Sequence, residues 1–270
     1  MALQAVFQSG LRFIDFIGTK SLDILAGLGE SLLFFVQSIF VMFTKKPNFR
    51  QIIDQMKSIG VDSFSIVCLT GSCTGLALAL QSYIGFSRVG ALDFIGVIVT
   101  LGMARELGPV LTGLMVTGRA GSSITAEIGS MQISEQIDAL RTLCVDPFQY
   151  LIVPRILASV IIMPFVTIFA MICGTVGGYV YCVYVLGLNP QSYLSSLQEY
   201  VELKDIMGGL IKAACFGLIM AWISTYNGYK TSGGAAGVGQ STTRSVVVAS
   251  ILILAANYFL TSLLFRSGLS

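Results

Sequence analysis

The chain has 270 residues, 54% hydrophobic and only 11% charged, whereas a soluble domain carries roughly 25% charged residues. With a mean hydropathy of +0.82 there is too little polar surface for a soluble fold, and an all-α integral membrane protein is expected. The absence of histidine excludes Ser-His and Cys-His nucleophile systems and any His-ligated metal, and a net charge of +2 without basic, aromatic-interleaved stretches excludes nucleic acid as a partner.

The N-terminus MALQAVFQSGLRFID lacks the basic, apolar and small-residue regions of a cleavable signal peptide. Residues 1–57 form an N-terminal interfacial region. Leu11, Ile14, Ile17 and Gly18 recur at helical spacing among Arg12, Asp15, Lys20, Asp23 and Glu30, the pattern of a helix lying in the membrane interface. Residues 31–43 are apolar but shorter than the roughly 20 residues a crossing needs. An elbow or re-entrant segment is expected there, with a tilted sixth span as the alternative. The basic amphipathic stretch 45–57 belongs at a headgroup surface.

Residues 58–266 form the permeating domain, with five apolar runs at 62–86, 91–118, 156–187, 206–228 and 245–265. About five transmembrane helices place the termini on opposite faces. Eleven Lys and Arg then fall on one side, against Arg88, Lys204 and Arg266 on the other. The positive-inside rule makes the N-terminus and the segments 119–155 and 229–244 cytoplasmic and the C-terminus periplasmic. Cys68, Cys73, Cys144, Cys173, Cys182 and Cys215 show no C-x-x-C spacing and read as small hydrophobes in a reducing setting. No metal site is expected. Gly71-x-x-x-Gly75 and Gly174-x-x-x-Gly178 are candidates for close helix packing.

The longest polar insertion is 118–155. Ser122 or Thr125 can cap a helix, Pro147 and Pro154 punctuate its exit, and Glu127, Met131, Glu135 and Asp138 recur at three to four residues. These features predict a short surface helix over about 123–141 with an acidic stripe, either a solvated loop helix or a docking helix for a cytoplasmic partner.

The run AEIGSMQISEQIDALRTL, preceded by ARELGPVLTGLMVTGRAGSSI and followed by DPFQYLIVPR, resembles the MlaE/YrbE family of ABC-transporter permeases, over roughly residues 50–265. The resemblance implies a homodimeric permease for phospholipid. Its docking helix, through Glu127, Ile128, Met131, Glu135, Gln136, Asp138, Ala139 and Leu140, would sit in a groove of a separate cytoplasmic ABC ATPase. ATP and Mg would be used by that partner, with no cofactor in this chain. It further implies a STAS-domain protein and a hexameric periplasmic MCE-domain protein as partners, an inner-membrane location, and lipid movement that maintains outer-membrane asymmetry or supplies lipid. Cys144 stands where the family usually has glycine; a left-handed backbone there costs cysteine about 1 kcal/mol. No G-x-x-x-x-G-K-[ST] phosphate loop is present, so ATP hydrolysis belongs to another chain.

Arg105 and Glu106 lie in mid-span, where a lone charge costs at least about 2.5–3.5 kcal/mol. Adjacent helical residues point about 100° apart, so each needs its own polar partner or cavity. They form either a structural intramembrane ion-pair system or a lining for a polar headgroup, and the resemblance places them, with Leu107, at the lipid cavity. Leu78, Gln81, Ser82, Gly85 and Phe86 share one helical face, either a cavity wall or a face on which Gln81 bonds a neighbouring helix. Gly108-Pro109 is expected to break or bend the second span. Lys212 is expected to snorkel to the outer surface as an anchor, residues 231–245 to form a flexible cytoplasmic turn, and 189–205 a short amphipathic helix on the far face.

Two other classes compete. An ion-coupled transporter or channel using Arg105 and Glu106 requires internal repeats, and none is evident. An intramembrane hydrolase built on the Gly71-Ser72-Cys73-Thr74-Gly75 elbow lacks a histidine base.

Overall fold

A computed structural model describes residues 22, 25–45, 48–88 and 90–266. The interfacial pattern around Arg12 and Lys20 lies outside the described residues. The chain divides into two compact units, Met1–Lys46 and Pro47–Ser270.

In the first unit, one helix, α1, runs over Leu25–Thr44 and is long and apolar enough to cross a membrane. The elbow expected at 31–43 is therefore a continuous 20-residue helix. Glu30 and two glycines interrupt the apolar run in sequence without interrupting helical hydrogen bonding. Ser38 and Thr44 donate to the carbonyls of Phe34 and Phe40, so neither hydroxyl needs water.

The second unit is helical among its described residues. Its helices are α2 (Phe49–Phe86), α3 (Leu92–Ile133), α4 (Gln136–Thr142), α5 (Phe148–Val185), α6 (Pro190–Tyr200), α7 (Leu203–Tyr229) and α8 (Gly234–Arg266). With α1, six helices among the described residues are candidate membrane spans, one more than the five apolar runs. At 1.5 Å per residue, the 38 residues of α2 and α5 and the 42 of α3 extend about 57–63 Å, twice the roughly 30 Å hydrocarbon core. Three ends must therefore project beyond it. They lie together: Arg119 of α3 donates to the Ser58 carbonyl and Ser63 hydroxyl of α2, and Glu127 of α3 meets Arg155 of α5.

The two G-x-x-x-G motifs pack on each other. A Cβ on Gly75 would lie 1.9 Å from the Gly174 carbonyl oxygen, and one on Gly71 2.8 Å from that of Ala170. The sequence thus permits α2 and α5 to approach at backbone distance. Around them, Ala79, Ile95, Val99, Cys182 and Tyr193 form a buried cluster that seats α6 against α2, α3 and α5. Asn189 accepts from the Gln191 N–H, and Pro190 occupies the first helical turn, so α6 begins where those residues favour a start.

Two expected loops are shorter than their composition implies. The turn placed at 231–245 ends at Gly233, because α8 already begins at Gly234 and Ala, Gly and Ser residues continue into it. The second span does not stop at 118. Ser122 donates to the Gly118 and Arg119 carbonyls and Thr125 to those of Gly121 and Ser224. Neither residue caps a helix; both lie inside α3, which needs no apolar sequence once it leaves the membrane.

Candidate functional site: a mid-membrane ion-pair network and a bent arm

About a third of the way along α3 the backbone widens into a π-helical turn, Met103–Leu107, a feature that often marks functional positions. Pro109 follows in the next turn. Having no N–H, it cannot satisfy the Arg105 carbonyl four residues earlier. That carbonyl accepts instead from Lys212 Nζ at 2.8 Å. The expected break at Gly108-Pro109 is thus a local widening of a continuous helix.

Arg105 and Glu106 take separate partners, as their angular offset requires. Arg105 Nε and Nη2 reach Asp205 Oδ1 at 2.7 and 2.6 Å. Asp205 is buried and also accepts, through Oδ2, from the Glu202 N–H in a capping box at the start of α7. Glu106 Oε1 accepts from Lys212 Nζ at 2.8 Å and lies 2.9 Å from the Thr261 hydroxyl, while Oε2 accepts from Asn257 Nδ2 at 2.8 Å. Lys212 spends its third donor on Thr261 Oγ1.

Lys212 therefore does not snorkel. It is fully buried because three acceptors converge on it within 2.8 Å, including a carboxylate that would otherwise lack its counter-charge. The close approach depends on Gly209, where a Cβ would come within 2.1 Å of the Ala104 carbonyl oxygen. The two pairs are neutral in sum, which removes most of the penalty for charge in hydrocarbon. The network is not sealed: the Arg105 and Glu106 side chains remain 42% and 38% exposed.

The other expected lining residues are only partly gathered here. Leu78 packs at Gly102, one turn before Arg105, where a Cβ would meet its Cδ2 at 3.0 Å. Leu107 is half-buried, and Gln81 and Gly85 are exposed on α2. Phe86 packs with Leu78 on the cluster around Ala79 and Ile95.

At the projecting end of α3, the expected single helix over 123–141 is two helices. α3 ends at Ile133, Glu135 takes a left-handed φ of +57°, and α4 follows at once. A second left-handed residue, Cys144 at φ +58°, closes α4. Its N–H donates to the Arg141 carbonyl and that of Val145 to the Leu140 carbonyl, the pairing of a Schellman ending. The left-handed backbone considered for Cys144 is thus present, and without glycine. Non-glycine residues in this region cost about 1–2 kcal/mol each, and two of them flank the seven-residue α4 and its C-cap Leu143.

The acidic residues of this arm have different surroundings. Glu127 is held by Arg155 at 2.8 Å and Asp138 by Arg141 at 2.8 Å; Glu135 has no side-chain partner among the described residues. Ile128 and Ile137 are buried anchors, Met131 and Leu140 half-buried, and Gln136 and Ala139 exposed. Arg141 also donates to the Tyr229 hydroxyl, and the Tyr229 ring packs at 5.7 Å and a 51° tilt against Phe148. This clamp ties α4 to the end of α7 and the start of α5. Leu143, 72% exposed, stands beside it.

A family profile described as Permease MlaE matches residues 52–263, which takes in α2 through most of α8 and therefore both the network and the arm. The chain belongs to the MlaE permease family. It is 45% identical over 256 residues to a probable ABC transporter permease protein of Rickettsia typhi, covering 95% of this chain and 99% of that one. The intermembrane phospholipid transport system permease protein MlaE of Haemophilus influenzae is 36% identical, covering 96% and 99%. The chloroplastic protein trigalactosyldiacylglycerol 1 of Arabidopsis thaliana is 36% identical, covering 86% and 66%. The family resemblance drawn from the ARELGP and EQIDALRTL segments is correct, and this MlaE-family permease is a multi-pass helical membrane protein.

The sequence missed four members of the network. Asp205 and Lys212 were legible only as charges at the margin of a span; Asn257 and Thr261 stand one turn apart in the last apolar run, a polar pair on one face that could have flagged them.

Proposed function

We propose that this MlaE-family permease is the transmembrane subunit of an ATP-driven phospholipid transporter. The carrying observation is the Arg105–Asp205 and Glu106–Lys212 network, set among apolar helices with Arg105 and Glu106 still partly exposed. A neutral polar station flanked by apolar surface suits an amphiphile: the guanidinium meets a phosphate, and the surrounding helices meet acyl chains. The Haemophilus relative's phospholipid function supports the same substrate class. An ion-coupled mechanism gains less from this arrangement, because both carboxylates are already matched by cations.

The arm supplies the drive. α4, braced by Arg141 and Tyr229 and presenting Asp138 and Ala139 between its flanking Glu135 and Leu143, docks in a groove of a separate ABC ATPase that binds ATP and Mg. Closure of two ATPases would push α3 and α5 as rigid bodies in a permease homodimer. Lipid then passes between the inner membrane and a periplasmic hexameric MCE-type carrier, supporting outer-membrane asymmetry or lipid supply; a STAS-domain protein bound to the ATPase completes the complex. The basic segments around the arm support a cytoplasmic position for it.

The test is ATP-dependent transfer of labelled phospholipid in proteoliposomes holding the permease and its ATPase. Arg105→Ala should lower transfer at least tenfold while ATPase association is retained. Transfer at the unsubstituted rate would contradict the assignment of the lipid station.

A further inference from the structure

Where α7 ends and α8 begins, a cavity of about 540 Å³ falls within the range of small-molecule sites, roughly 300–1,000 Å³. Its lining includes Lys230 and Ser232 of the connecting turn and Gln240, Ser241, Arg244 and Val247 of α8. Lys230 and Arg244 are both exposed, and no carboxylate stands among the described lining residues. The wall thus carries two cations with hydroxyl and amide groups beside them, a set that suits a phosphate of net negative charge. It opens on the face from which the arm projects, since Arg141 of α4 donates to the hydroxyl of Tyr229, the neighbour of Lys230.

The cavity lies at the edge of the hydrocarbon. Arg244 immediately precedes the apolar run 245–265, and Lys230 follows the run 206–228 by two residues. The 21 residues of the former rise about 31 Å, the thickness of the hydrocarbon core, so both cations stand at headgroup level. Towards the membrane interior the same face of α8 turns apolar. Gln240, Arg244, Val247, Ile251, Leu254 and Tyr258 recur at spacings of three and four and share one stripe, and the last four are more than half exposed. From Arg244 to Tyr258 the stripe runs about 21 Å, more than half the thickness of the core. A soluble phosphate has no use for it, whereas the acyl chains of one leaflet can lie along it. We propose that this cavity binds the anionic headgroup of a phospholipid in the leaflet on the arm's side, at a site separate from the mid-membrane network. Basic pockets between transmembrane helices recognise anionic heads in this way. Asn257, which bonds Glu106, lies 13 positions beyond Arg244 on α8, about 20 Å along the helix.

The inference needs only the membrane location and stands independently of the transport reading. Its test is native mass spectrometry of the full chain released from nanodiscs of equimolar phosphatidylglycerol and phosphatidylethanolamine. The unsubstituted protein should retain one more phosphatidylglycerol per chain than Lys230→Gln or Arg244→Gln. A basic residue at a membrane surface is worth about fivefold in affinity for anionic lipid, so each substitution should lower the preference for phosphatidylglycerol about fivefold. Both side chains are exposed, and unchanged thermal unfolding verifies the integrity of the variants. Lys57→Gln removes an exposed cation outside the lining, five residues before the apolar run of α2, and should leave retention intact. Arg105→Ala should do the same, which separates this site from the lipid station. Equal retention of the two lipids, or unchanged retention in both variants, would overturn the proposal. An equal loss in Lys57→Gln would also overturn it, reducing the effect to general surface attraction. Displacement of the retained lipid by millimolar glycerol phosphate would overturn the lipid source and leave a site for soluble phosphate.

Discussion

Around Arg105 each charge is answered within the bundle: Asp205 for Arg105, Lys212 for Glu106, with Asn257 and Thr261 filling the remaining valences. Just beyond the far end of the same helix Glu135 stands exposed and without a side-chain partner among the described residues, itself the first of two left-handed turns. The contrast follows from the solvent. In hydrocarbon an unmatched charge is costly, so charges there are held in mutually bonded, neutral sets. Beyond the headgroups, water tolerates open charge and the arm can leave groups free for a partner. Strain is likewise confined to the aqueous end, where the left-handed residues Glu135 and Cys144 fix the direction of α4.

The contrast is broken most severely by Lys212→Met, which leaves Glu106 without its cation. Removing one partner of a buried pair costs about 3–5 kcal/mol; because Glu106 is 38% exposed, about 3 kcal/mol is expected after solvent screening. Thermal unfolding in detergent should show the loss, and adding Glu106→Gln should restore most of it. Additive losses would mean the two side chains are not coupled. Asp205→Ala comes next, removing both the Arg105 partner and one half of the α7 capping box, for about 1–2 kcal/mol.

At the arm the sign reverses. Cys144→Gly should stabilise by about 1 kcal/mol, since glycine adopts the left-handed region freely; a destabilised variant would show that the thiol makes a contact worth more than the strain.

The smallest effect concerns Tyr193 on α6, where burial pushes the phenol well above its ordinary value of 10. The folded state then holds the proton more tightly than the unfolded state. This contribution is fully present below about pH 10 and is lost as the pH rises above it. Tyr193→Phe should flatten the decline of stability at alkaline pH; an unchanged slope would assign that decline to other groups.

The transmembrane architecture was legible in the apolar runs because each of the five coincides with most of a helix. Helix ends were not, since α3 runs through Arg119-Ala-Gly-Ser-Ser, a stretch whose polarity mimics a loop but whose hydroxyls bond back to their own helix. Arg105 and Glu106 announced themselves as charges inside an apolar run. Lys212 did not, because a lysine near a span's end has an equally good reason to snorkel, and what decides is the register of α7 against α3, set by Gly209 more than a hundred residues away from Arg105. The break at Glu135 carries no glycine or proline to signal it.

The most direct test of the central claim is native mass spectrometry of the complex purified through this chain together with the products of its neighbouring genes. The account predicts bound phospholipid and a stoichiometric ATPase subunit, with the ATPase lost from Glu135→Lys and Asp138→Lys while the lipid remains. A chain isolated with neither lipid nor ATPase, or an ATPase retained at full stoichiometry by both variants, would contradict it.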